Sequence, residues 1–73
     1  MIKRIGEQNV LIITRSRYQM QPQSIVDSCF YREPESIDLV LVERSVFDDV
    51  TMDPIMFSRI TKNLKDMGSI DMF

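Results

Sequence analysis

Proton transfer near neutral pH most often uses histidine, and this chain has none. Cys29 is the one thiol, set in the apolar run Ile25-Val26-Asp27-Ser28-Cys29-Phe30-Tyr31 with no histidine to take its proton. A thiol in that setting is expected to be buried as a small hydrophobe. The serines lack the Gly-x-Ser-x-Gly turn that would expose a hydroxyl nucleophile. Gly6 and Gly68 are too few and too far apart to build a phosphate-cradling loop. The acids Glu43, Asp48, Asp49 and Asp53 come nearest to a metal site, since carboxylates suit Mg²⁺ or Ca²⁺. Their spacing does not match an EF-hand loop, and acids ahead of a helix also serve as caps and dipole partners. The residues therefore predict a protein that is not an enzyme and uses no metal, cofactor or small-molecule substrate.

Binding is the remaining chemistry, and the charge distribution suggests where. Residues 1–18 hold four basic side chains against one acid, whereas residues 32–53 hold seven acids against two arginines. Net charge is only −2, so the asymmetry would orient an encounter rather than drive it. Lys3, Arg4, Arg15 and Arg17, with Tyr18 as one stacking ring, could meet phosphates. The acidic chain carries no aromatic-rich RNA motif and no zinc spacing, so an acidic protein surface fits at least as well. Lys3, Arg4, Ile5, Arg15, Arg17 and Tyr18 are thus the predicted partner-binding residues, with Ile5 as an apolar anchor.

The elements that must carry these residues are few. The 73 residues predict one domain, 1–73, without internal boundary, repeat or linker. Ile2 to Ile5 reads as a short strand, turned through residues 6–9 into a stronger one from Val10 to about Arg15. Pairing of the two would gather the basic residues at one end of a sheet. Ile37 to Glu43, "IDLVLVE", is the clearest strand; its middle is apolar on both faces, so it should be central or covered on both sides. Between them Ile25, Val26, Cys29 and Phe30 have helical spacing, with Ser24 as a cap. "SVFDD" repeats the capping pattern and predicts one helical turn.

A helix from Asp53 as N-cap and Pro54 at its first position to Gly68 as C-terminal cap is the best-signalled element. Its apolar stripe would be Met56, Phe57, Ile60, Leu64 and Met67. Four of the six methionines lie at or after Met52, which suits an adaptable surface, though ordinary core is the expected use of the helical stripe. Residues 69–73 are expected as a tail that either folds back or frays. The predicted architecture is α+β: a two- or three-stranded sheet, the C-terminal amphipathic helix across one face, and a short connecting helix.

A single cysteine permits no internal disulfide, which favours a reducing cytoplasmic setting. The longest apolar runs are four residues, against roughly 20 needed to span a bilayer, and no signal peptide is recognisable. The expected function is a non-catalytic regulator or inhibitor that docks on a larger protein complex. The transcription machinery, such as RNA polymerase, is its first candidate target. Regulators encoded by viruses and mobile elements fall in this size class. The alternative is weak nucleic-acid binding through the basic N-terminal segment.

Overall fold

A computed structural model describes residues 2–30 and 34–73. Strand β1 (Ile2–Ile5) and strand β2 (Gln8–Ile13) form an antiparallel hairpin in register from Ile2↔Leu11 to Ile5↔Gln8. The two-residue loop is Gly6-Glu7. Gly6 has φ +60° at its first position while Glu7 stays on the negative side, as a II′ turn demands.

The strand expected to reach Arg15 stops at Ile13. Thr14 is extended, at φ −92° and ψ 158°, and its Oγ1 accepts from the Arg17 backbone N–H at 3.2 Å. It thereby caps helix α1 (Arg15–Met20). Helix α2 (Pro22–Phe30) follows with Pro22 at its first position, so it begins ahead of Ser24, the expected cap. Ser24 lies inside it, and its Oγ donates back to the Gln21 carbonyl at 2.8 Å. Strand β3 (Ile37–Val42) runs parallel to β2. The "SVFDD" region forms more than one turn: a 3₁₀ turn (Arg44–Val46) leads into helix α3 (Phe47–Met52).

Helix α4 (Pro54–Asn63) starts as its signals predict. Asp53 Oδ1 accepts from the backbone N–H of Ile55 and Met56, each at 3.0 Å. It does not reach Gly68. Asn63 is buried and turns its side-chain amide to the Arg59 carbonyl, and Leu64 is already extended at φ −81° and ψ 129°. Residues 64–72 form strand β4 (Leu64–Met72), parallel to β3.

The predicted architecture is therefore corrected. The class is α+β, but the sheet has four strands in the order β1-β2-β3-β4, it is mixed, and the last element is a strand rather than a helix. The cause is tertiary. Without β4, the outer backbone groups of β3 would be left without strand partners, and Ser69 to Met72 fill that edge in register with Leu39 to Val42. Phe73 extends the ladder, its N–H donating to Val42 O and its carbonyl accepting from Arg44 N–H. The run expected as a tail thus lies in the ladder. The proposed stripe also divides. Met56 and Ile60 are buried, but Phe57 is on the margin and Met67 is 97% exposed.

Two β-α-β connections step the same way across the sheet, and such connections are right-handed, so their helices fall on one face. The core cluster agrees. Leu11, Ile13, Val40 and Val42 from the strands meet Ile25 and Cys29 of α2, Val50 of α3, and Met56 and Ile60 of α4. No helix among the described residues is long and apolar enough to cross a membrane.

Candidate functional site

The six predicted contact residues do not gather. Side chains alternate across a strand, so Lys3 and Ile5 stand on one face of the sheet while Ile2 and Arg4 stand on the other. Arg4 Nη1 lies 3.5 Å from Asn9 Oδ1, at the amino end of the parallel strands. Arg15 and Arg17 are on α1, past the carboxyl end of β2. From Asn9 to Ile13 alone the strand climbs about 13 Å, so Arg4 and the other arginines sit at opposite ends. Arg15 is exposed, but Arg17 is half-buried and donates through Nη1 to Ser24 Oγ at 3.1 Å. Arg17 also lines an open depression of about 300 Å³ with Thr14, Ser16, Met20 and Gln21, all on α1 or its flanks.

Tyr18 is not a free ring. It packs against the core, and its hydroxyl lies 3.2 Å from both the Asp49 carbonyl and Asp53 Oδ2. Desolvation, and then the Asp53 carboxylate, push its pKa up. It fastens α1 to the α3–α4 corner.

The residues considered for catalysis or metal binding have structural work. Cys29 is 1% exposed, and burial pushes its thiol pKa up, away from the reactive thiolate. Asp53 caps α4, Glu43 accepts from Ser45 Oγ at 2.7 Å, and Asp48 and Asp49 occupy the first turn of α3. Among the described residues, no three such side chains converge as a metal site would require.

A polar knot closes the amino end of the sheet. Asp38 Oδ2 accepts from Asn9 N–H at 2.8 Å, and its Oδ1 lies 3.0 Å from Lys65 Nζ. Asn9 Nδ2 donates to the Ser36 carbonyl at 2.9 Å. The Asn9 N–H, followed by Lys65, holds the Asp38 carboxyl below its usual pKa. These bonds orient β2, β3 and β4 against one another where the β3–β4 register is irregular.

The surface that sequence reasoning missed is the other face of the sheet. Alternation places Val10 and Ile12 of β2, Leu39 and Leu41 of β3, and Ser69 and Asp71 of β4 beside Lys3 and Ile5. None of these belongs to the core cluster or packs against it. Val10 is 1% exposed, and Ile37, which the same alternation sets on this face at the start of β3, is 0% exposed and joins the core cluster. Ile12, Leu39 and Leu41 are half-buried, while Ile5 is 52% exposed and Phe73, beyond Asp71 on the same alternation, 53%. The strip is apolar in its middle, with Lys3 on the β1 edge and Asp71 on the β4 edge.

Parallel strands are ordinarily covered on both faces. Here, among the described residues, the core cluster gathers the helices on one face and leaves Ile12, Leu39 and Leu41 of the other only partly buried. The signal was present in "IDLVLVE", whose aliphatic side chains point both ways. No known family model, curated protein or solved structure matches the chain.

Proposed function

We propose that this protein is a non-catalytic, protein-binding regulator that docks on a larger macromolecular assembly through the open face of its sheet. One observation carries the proposal: parallel strands with aliphatic side chains on both faces gather their helices on one, and Ile12, Leu39 and Leu41 on the other are only partly buried. Contiguous apolar surface with a polar rim is what a protein interface presents. Lys3 and Asp71 supply such a rim. The transcription machinery remains the first target to test. Lys3 and Ile5 keep their place in the predicted contact. Arg4, Arg15, Arg17 and Tyr18 leave it, being elsewhere or engaged internally. That dispersal also weakens the nucleic-acid alternative, which needs the basic side chains along one backbone track.

The test is site-specific photocrosslinking in the native host. A crosslinker in place of Leu41 should capture a defined partner, and one in place of Asp48, exposed on the helical side, should not. Leu39→Lys should abolish the Leu41 capture while the chain stays folded. Equal capture from both positions, or capture indifferent to Leu39→Lys, would show that the contact lies elsewhere.

A further inference from the structure

We infer that the open face is closed by a second copy of this chain when no other partner is bound, in a reversible face-to-face dimer that docking must displace. The inference rests on the open face being the contact surface, and adds what occupies it first. A two-fold axis between the sheets, running along the strands, sets the β1 edge of one copy over the β4 edge of the other. The face is charged so as to match itself under that operation: Lys3 lies on the β1 edge and Asp71 on the β4 edge. Both are exposed, and neither can reach the other within one copy, since three strand spacings separate them by about 14 Å.

The register brings them close across the interface. Lys3 is level with Val10, Leu39 and Ser69, and Asp71 is one same-face position further along β4. That offset is about 7 Å along the strand, a gap the four-carbon lysine stem largely spans. Between the charged edges, Ile12, Leu39 and Leu41 would meet their counterparts, making an isologous contact in which each copy offers the same patch.

Size sets the strength. Four strands at about 4.8 Å spacing and about 20 Å of strand length project on the order of 400 Å² per copy. Stable interfaces bury about 800 Å² per partner. The dimer is therefore weak and reversible, and a better-fitting surface can displace it.

Oligomeric state decides the matter, by analytical ultracentrifugation of the purified chain from micromolar to millimolar concentration. Wild type should pass from monomer to dimer. Lys3→Asp and Asp71→Lys should each weaken the dimer about tenfold, because each opposes like charges at both symmetry-related pairs. Mixing the two variants should restore wild-type association, since every pair in the heterodimer is then opposite in charge. Leu41→Glu should weaken association at least about tenfold by setting carboxylates in the apolar centre. The charge variants lie at exposed positions and keep the test valid should Leu41→Glu fail to fold. A monomer throughout, a dimer indifferent to Leu41→Glu (as edge-to-edge pairing of β4 would be), or a mixture no tighter than its components would overturn the dimer. A monomeric wild type that still crosslinks through Leu41 would retain the docking face and remove only its self-pairing.

Discussion

Gly68→Ala tests the least expected element of the fold, strand β4. A Cβ on Gly68 would stand 2.6 Å from Leu64 Cδ1, 3.0 Å from Leu64 Cγ and 3.0 Å from the Asp38 carbonyl oxygen. The leucine tip can swing aside, but the Asp38 oxygen is backbone, held where Asn9 and Lys65 tie its own side chain. Overfilling a packed site costs about 1–3 kcal/mol. Replacing a glycine returns about 0.4–1 kcal/mol through the unfolded chain, where the backbone is compatible. The expected result is net destabilisation of about 1–2 kcal/mol. A chain of 73 residues holds on the order of 4–11 kcal/mol in all, so the loss should be plain in a urea midpoint followed by circular dichroism.

The double-mutant cycle with Leu64→Ala is more discriminating. Leu64 supplies two of the three close contacts, so its removal should relieve Gly68→Ala by about 1 kcal/mol, well above the 0.3–0.5 kcal/mol within which independent sites add. Gly6 is the contrast. It has φ +60° and nothing within 4 Å of a Cβ, so Gly6→Ala should cost about 1 kcal/mol from backbone strain alone and show no coupling to Leu64. Additive behaviour of Gly68 and Leu64, or a stabilised Gly68→Ala chain, would refute the packing assigned to this strand.

Four further outcomes follow from the same physics. Asp53→Ala should lower stability by about 1–2 kcal/mol through the lost α4 cap, with Asp53→Asn much milder. Tyr18→Phe should cost about 1 kcal/mol and less than that in the Asp53→Ala background, because the two side chains meet. For Asp38, the folded pKa is lowered, so its contribution is complete above the unfolded carboxyl value of about 3.9 and is lost as pH falls through the folded one. Asp38→Asn should therefore flatten the acid limb of a urea-midpoint series below about pH 4; a limb parallel to wild type would show that the knot does not couple to folding. Cys29, buried with a raised pKa, should react with an aromatic disulfide only as fast as the chain opens, and its rate should track the unfolding equilibrium with added urea. Rapid reaction in native buffer would contradict its burial.

Strong local signals were legible in the sequence, and elements made by pairing were not. The Gly6 turn, the aliphatic strand from Ile37 and the Asp53-Pro54 helix start each carry their own chemistry. The helix start stands where it was read, the turn closes in two residues rather than four so that β2 begins at Gln8, and the strand ends at Val42 rather than Glu43. Helix α1 was missed because Thr14 has no acid three residues on to mark a capping box; the residue there is Arg17. β4 was missed because "LKDMGSIDM" holds one β-branched residue, a central glycine and several good helix formers. Local preference there is helical, and the open edge of β3 overrides it. The predicted contact residues scatter for the same reason. Lys3 and Arg4 are neighbours in sequence but stand on opposite faces once β1 is a strand, and Arg15 and Arg17 leave the sheet once Thr14 caps a helix. Leu39 and Leu41 lie far from that segment and join Lys3 and Ile5 only through the sheet order.

Threonine substitutions on the open face would separate a contact surface from a merely bare one. On the solvated side of a strand, threonine supports a β backbone as well as isoleucine or leucine does, without apolar exposure. In the isolated chain Ile12, Leu39 and Leu41 realise only part of the roughly 1.5–3 kcal/mol that full burial of each would yield. The remainder becomes available only when a second surface arrives. If the face were simply solvated, Leu39→Thr and Leu41→Thr together would change stability little and self-association not at all. If it is an interface, the pair should leave the urea midpoint of dilute monomer within about 1 kcal/mol of wild type while removing association at high concentration. A large loss of monomer stability would instead make these leucines part of the chain's own core, and the open face would lose its claim to a partner.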